Sequence, residues 1–178
     1  MRKFSAIILG LALLALPVLA TQSFLLTTPF NGPTFSAVYP TPDSEINAEV
    51  TNGATTDGAS AYTGYTYSTL TKNGNAWFGL AVFDYDSNVN ESTVAFLDSC
   101  VDGGISAMKG TLVPGSRTSG TLAGYFSREG ESVDNADDSF LRVSVAGNRR
   151  FIGVVIFDKS LNATRADADE FFDSVRSK

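Results

Sequence analysis

The chain has no histidine and a single cysteine, Cys100. Without an imidazole there is no Ser-His-Asp or Cys-His machinery and none of the usual zinc sites, so the commonest hydrolytic constellations are excluded at the outset. One thiol cannot close an intramolecular disulfide, so a packed core has to supply stability on its own. Cys100 also lacks the positive neighbours that activate a thiolate, and its expected role is that of a small packing group. A basic patch is missing too: 13 Lys and Arg stand against 19 Asp and Glu, a formal net charge of −6. That balance argues against nucleic acid and anionic membrane surfaces as partners. There are no internal repeats, and no linker is long enough to divide the chain.

What is present begins with an address. Arg2 and Lys3 form a positive n-region, Ile7 to Leu16 an apolar h-region, and Pro17 with Val18-Leu19-Ala20 a break and a small-residue cleavage site. The apolar run is shorter than the about 20 residues that span a bilayer, and no cysteine follows it to accept a lipid anchor. Residues 1–20 therefore read as a signal peptide and residues 21–178 as one exported domain, periplasmic or extracellular, with no membrane span after cleavage. Taking Arg2 and Lys3 from the 13 basic residues leaves 11 against 19 acidic, a net charge of −8. The lone thiol points to a bacterial envelope rather than to disulfide-rich eukaryotic secretion.

The strongest fold signal is SFLRVSVAGNRRFIGVVIFD, which predicts a hairpin from Phe140 to Phe157 around Gly147-Asn148. A two-residue loop there sets Val145 opposite Arg150, Val143 opposite Ile152 and Leu141 opposite Val154. Leu141, Val143, Ile152, Val154 and Ile156 then share one face. Phe140, Phe151, Val155 and Phe157 occupy the other, so the hairpin belongs in the middle of a sheet. Upstream, Phe35, Ala37 and Tyr39 alternate in a short strand that stops at Pro40, Glu45 to Val50 is a weaker strand, and Asn52 to Gly58 reads as a loop. Ala59 to Leu70 and Ala76 to Tyr85 form a second hairpin about Asn73-Gly74, with Trp77, Ala81, Phe83 and Tyr85 on one side and Phe78, Leu80 and Val82 on the other.

Between the hairpins the period changes. Val94, Leu97, Val101, Ile105 and Met108 stack on one side of a helix predicted over Ser92 to Met108, with Ser92 as N-cap and Gly103-Gly104 as an early stop. Thr121 to Glu129 reads as a strand, and Glu131 to Asp138 as an acidic loop. A second helix opens with Thr164 and Asp167 as a capping box and carries the stripe Ala168, Phe171, Phe172, Val175. The expected architecture is one α+β domain, a twisted, mainly antiparallel sheet with two helices.

The order of these elements, the Tyr39-Pro40 strand end, Asn148-Arg149-Arg150-Phe151 and the closing run Ala166-Asp167-Ala168-Asp169-Glu170-Phe171-Phe172-Asp173-Ser174 resemble exported bacterial proteins of the PsbP-like type. Those proteins commonly end in a Phe-rich helix, and here Val175 replaces the usual final aromatic. The resemblance spans about Leu26 to Val175. It implies an αβα sandwich in which helices flank the sheet, and it implies no catalytic residues.

Three readings of function follow. The first is a non-catalytic envelope domain, not an enzyme, binding a protein or small ligand through an aromatic surface of Tyr62, Tyr65, Tyr67 and Trp77. The second is a calcium-stabilised accessory domain, because Asp84, Asp86 and Asn88 place oxygens at alternate positions as a calcium loop does. Val89 stands where such a loop needs Gly and Ala95 where it needs Glu, so an EF-hand is not supported. The third is a hydrolase using Asp84 and Asp86, about 7 Å apart on an extended strand. Asp134, Asp137 and Asp138 read as a solvated loop.

Overall fold

The structure is a computed structural model that describes residue 26 and residues 28–40, 45–54, 60–71, 73–87 and 93–178. Its strands are β1 (Thr28–Asn31), β2 (Phe35–Tyr39), β3 (Asn47–Ala54), β4 (Ala61–Leu70), β5 (Ala76–Tyr85), β6 (Thr111–Leu112), β7 (Thr118–Leu122), β8 (Tyr125–Val133), β9 (Asp137–Ala146), β10 (Arg149–Asp158) and β11 (Arg176–Ser177). The helices are α1 (Val94–Ala107) and α2 (Arg165–Ser174). The main sheet runs β3-β4-β5-β10-β9-β8-β6 with β7 also on β8, and a small sheet runs β1-β2-β11. Every pairing is antiparallel. This is the α+β, mainly antiparallel class expected from the pattern.

The β9–β10 hairpin has the expected register, Val145 against Arg150, Val143 against Ile152 and Leu141 against Val154. Gly147 turns it with a φ of 62°, a left-handed value that glycine adopts without steric penalty. Asn148 then ties the turn to the neighbouring strand: its Nδ2 donates to the Tyr85 carbonyl at 3.0 Å, and its own carbonyl accepts from the Tyr85 N–H at 2.9 Å. Because successive side chains alternate, this hairpin feeds two cores. Leu141, Val143 and Val145 pack with Leu97, Val101 and Ile105 of α1. Phe140, Phe151, Val155 and Phe157 pack with Ala168, Phe171 and Phe172 of α2 and with Phe35, Ala37 and Tyr39 of β2.

The helices follow their stripes with two corrections. In α2, Ala168, Phe171, Phe172 and Val175 are all buried, and the Thr164 N–H donates to Asp167 Oδ2 at 2.7 Å as a capping box requires. In α1 the cap is Thr93, whose hydroxyl accepts from the Phe96 N–H at 3.3 Å; Ser92 and Glu91 lie outside the described residues. Val94 falls off the buried stripe and is 49% exposed. Gly103-Gly104 does not end the helix. Gly104 is where α1 rests on the sheet, since a Cβ there would stand 2.5 Å from Leu141 Cδ2. Close approach, not helix termination, explains that glycine.

Three strand boundaries also differ. Asn52, Gly53 and Ala54 extend β3, paired with Thr63, Tyr62 and Ala61, and the rest of the expected loop lies outside the described residues. The segment Thr121 to Glu129 is two strands, not one, because Ala123 and Gly124 both take positive φ, 57° and 87°, and reverse the chain. The acidic loop shrinks to residues 134–136: Glu131 to Val133 belong to β8 and Asp137-Asp138 to β9. Truncating Phe171 to Ala should lower stability by about 3–5 kcal/mol, whereas Val94→Ala should stay within about 0.5 kcal/mol. Chemical denaturation of both variants checks the assignment of the two helix faces, and a large loss at Val94 would refute it.

Candidate binding surface

Burial along the sheet shows where a partner could reach it. On the α2 side, Phe78, Leu80, Val82, Phe151, Val155 and Phe157 are buried, covered by α2 and the small sheet. On the α1 side cover is uneven. Leu141, Val143 and Val145 of β9 are buried beneath α1, but Ile152, Val154 and Ile156 of β10, Trp77, Ala81 and Phe83 of β5, and Tyr62 of β4 are only half-buried. These residues are adjacent in register: Phe83 against Arg150, Ala81 against Ile152, Trp77 against Ile156, and Tyr62 against Tyr85. They make a continuous apolar surface beside α1, walled by Phe96 and Cys100 of that helix.

Glycines flatten this surface. A Cβ on Gly79 would meet the Trp77 ring at 2.1 Å, one on Gly64 the Phe83 ring at 2.9 Å, and one on Gly53 the Tyr62 hydroxyl at 2.5 Å. Each ring thus lies down over a glycine rather than standing off the sheet. Tyr62 and Phe83 also meet edge-on, with centroids 5.4 Å apart.

The aromatic row expected from sequence is therefore split. Tyr62 and Trp77 are on this surface, whereas Tyr65 and Tyr67 point to the other side. Tyr67 is buried there, its carbonyl accepting from the Tyr39 hydroxyl at 3.2 Å, and Tyr65 packs against the same core. Phe83 and Ala81 join Tyr62 and Trp77 on the α1 side, with the half-buried Ile152, Val154 and Ile156 beside them. Their alternation was readable, but not which side a helix would leave open.

Arg150 stands at one end of this surface. Its guanidinium lies between the Tyr85 and Phe96 rings, with Cζ 5.3 Å and 5.1 Å from their centroids. Nε is sealed from solvent without a partner, and among the described residues the side chain makes no hydrogen bond or ion pair. Burial pushes the Tyr85 phenol up, against the opposing pull of Arg150, so it stays protonated at neutral pH.

Known protein families, curated proteins and solved structures offer no match to this chain.

Asp84 and Asp86 are engaged separately. Arg149 Nε bonds Asp84 Oδ1 at 2.5 Å, while Asp86 Oδ1, beyond the end of β5, accepts from the Ser60 hydroxyl at 2.7 Å and the Ala61 N–H at 3.1 Å. Asn88 lies outside the described residues. Among the described residues no group of three or more His, Cys, Asp or Glu is placed to hold a metal ion.

The densest ionic cluster is on the α2 side. Arg142, buried, bonds Glu129 at 2.7 Å, Asp169 at 2.6 Å and Asp173 at 3.1 Å, and lies 4.8 Å from the Phe172 ring centroid. Burial alone would raise Glu129, but the Thr118 hydroxyl, Arg142 and Arg165 outweigh it and hold the carboxyl below its ordinary range. At Asp169 burial wins over Arg142 and the carboxyl is raised. An open cleft of about 320 Å³ beside this cluster is lined by Thr121, Ala123, Gly124, Phe172, Asp173 and Arg176. Each carboxylate of the cluster is committed to a guanidinium, an arrangement for holding α2 on the sheet rather than for moving protons.

The acidic turn is more than solvated loop. Burial, then the charges of Asp134, Asp158 and Asp138, push Asp137 up from 3.8 to about 6, against Lys159. A carboxyl raised on folding opposes folding once ionised, so its penalty is absent below about 3.8 and complete above about 6. Asp137→Asn should therefore raise the melting temperature at pH 7.5 and leave it unchanged at pH 3.5; a gain at both would show that charge is not the cause. Asp84→Ala should cost about 0.5–1 kcal/mol equally in calcium and in chelator, because its partner is Arg149. A calcium-dependent melt lost in that variant would restore the calcium reading.

Proposed function

We propose that this is an exported, non-catalytic domain of the bacterial envelope that binds a partner, protein or small molecule, on the half-open apolar side of its sheet. The observation that carries the reading is the continuity of Tyr62, Phe83, Ala81, Trp77, Val154 and Ile156 as partly exposed apolar surface beside α1. Contiguous apolar surface left open in a folded domain marks interaction sites more often than scattered exposed residues do. Export is supported by the pattern of residues 1–20. A PsbP-like αβα arrangement is supported by the order of elements and by the two helices contacting alternate residues of β9, while the ion-paired state of the clustered carboxylates favours binding over catalysis. No described helix is long and apolar enough to cross a membrane.

A photo-cross-linking residue placed at Ala81 or Val154 in the exporting cell tests the surface. Adducts should form at these positions and not at Val50, which is 60% exposed on the opposite side of the sheet. Equal labelling at all three, or none, would defeat the reading. The exported protein should begin at Thr21 by mass spectrometry.

A further inference from the structure

We propose that this surface takes an amphipathic anion, a free long-chain fatty acid, with its carboxylate on Arg150 and its chain along Ile152, Val154 and Ile156. The inference rests on the reading of that side of the sheet as a binding surface, and adds to it the chemistry of the ligand. Arg150, Ile152, Val154 and Ile156 are alternate residues of β10 and so point the same way, a strip about 20 Å long from Arg150 to Ile156. Along that strip the floor is apolar, and Ile152 and Val154 touch the cluster under α1, whose Phe96 and Cys100 make one wall.

The charge pattern selects the head group. Facing this side, β4 and β5 contribute no charged residue; β3 contributes Glu49 at the sheet edge, three strands from β10, and β10 contributes Arg150 at one end and Asp158, opposite Asp137 of β9, at the other. Asp158 is occupied as the cap of a short helical turn, accepting from the Ser160 N–H at 2.8 Å. Nearby Arg128 is held by Asp98 at 2.7 Å. On this side of the sheet Arg150 is a cation with no acid among the described residues, in a chain whose net charge is −6. Two aromatic rings hold its plane in place, so little ordering is needed when a carboxylate arrives. One fixed guanidinium matches one negative charge and the bidentate geometry of a carboxylate. A dianionic phosphate would lack a second cation here.

Trp77 is the chain's one tryptophan and sits directly opposite Ile156, at the end of the strip far from Arg150. Titrating the purified protein with palmitate, below its aggregation concentration, should shift Trp77 emission saturably. Hexanoate, too short to reach, should leave the emission unchanged. Hexadecanol, with the same chain and no charge, should bind about tenfold more weakly, and Arg150→Gln should weaken palmitate by about the same factor, with Arg150→Lys closer to the parent. Equal affinity for palmitate and hexadecanol overturns the head-group assignment, and that comparison needs no variant to fold. No shift with palmitate while Ala81 or Val154 still cross-links a protein overturns the fatty-acid ligand alone. No shift and no cross-links overturn the binding surface as well.

Discussion

The alternation of β9 and β10 across the Gly147-Asn148 turn is the constraint from which the rest of the molecule follows. A slip of one residue would send Leu141, Val143 and Val145 to the side now occupied by Phe140 and Ser144, and both cores would be lost together. The turn prevents this twice. Gly147 supplies the left-handed backbone of a two-residue loop, and Asn148 binds both the carbonyl and the N–H of Tyr85, so β5 is registered against the same turn. Arg149 extends that lock by joining Asp84 and donating to the Thr34 and Lys178 carbonyls. One turn thereby aligns the central strands with both ends of the described domain.

Arg142 imposes a second constraint, of a different kind. Its guanidinium comes from the middle of β9, where the surrounding positions are apolar, and it is almost fully buried. Desolvating a guanidinium there is unfavourable unless its donors are met, and Glu129, Asp169, Asp173 and the Thr121 carbonyl meet them. Those acceptors lie on β8, on α2 and at the end of β7, so satisfying one side chain fixes the relative placement of three elements. A hydrophobic residue at 142 would pack there without demanding any particular register of α2. The ionic cluster therefore serves specificity more directly than net stability.

What could be read from the sequence was whatever is decided by neighbours in the chain. The β9–β10 register, the β4–β5 hairpin and the α2 stripe with its Thr164-Asp167 cap all depend on spacing within a few residues, and they stand as expected. The misreadings share an opposite cause. Ala123-Gly124 turns the chain without the usual Asn-Gly or Asp-Gly signature, with Ala123 buried in the core as compensation. Gly104 looked like a helix breaker because its neighbour across space, Leu141, lies far away in sequence. Tyr62, Tyr65 and Tyr67 looked like one row, although the pleat places Tyr62 opposite the other two. Asp137 looked solvated, although Asp158 is brought beside it only by the fold. Nothing local marked Arg150, whose guanidinium meets the Tyr85 and Phe96 rings and, among the described residues, no carboxylate.

The open surface itself follows from widths. Adjacent strands lie about 4.8 Å apart, so seven strands in a row make a sheet roughly 29 Å across. A helix with its side chains is about 10–12 Å wide and covers two or three of them. On the α2 side the shortfall is made up by the small sheet, where Phe30 and Phe35 pack on the Tyr67 ring and Tyr39 on Phe171 of α2. On the α1 side the described residues supply one helix, set over β8 and β9 by Leu97, Val101 and Ile105. Among the described residues, a single helix in that position leaves β10, β5 and β4 short of cover. A sheet face that was merely uncovered would carry polar residues, as β3 does with Asn47, Glu49 and Thr51 at the exposed edge. Instead β10 and β5 place Ile152, Val154, Ile156, Trp77, Ala81 and Phe83 there, and Tyr62, Phe83 and Trp77 lie flat on glycines. Apolar side chains left partly uncovered by the described residues, with the Arg150 guanidinium at their end, are the pattern on which the proposed binding surface rests.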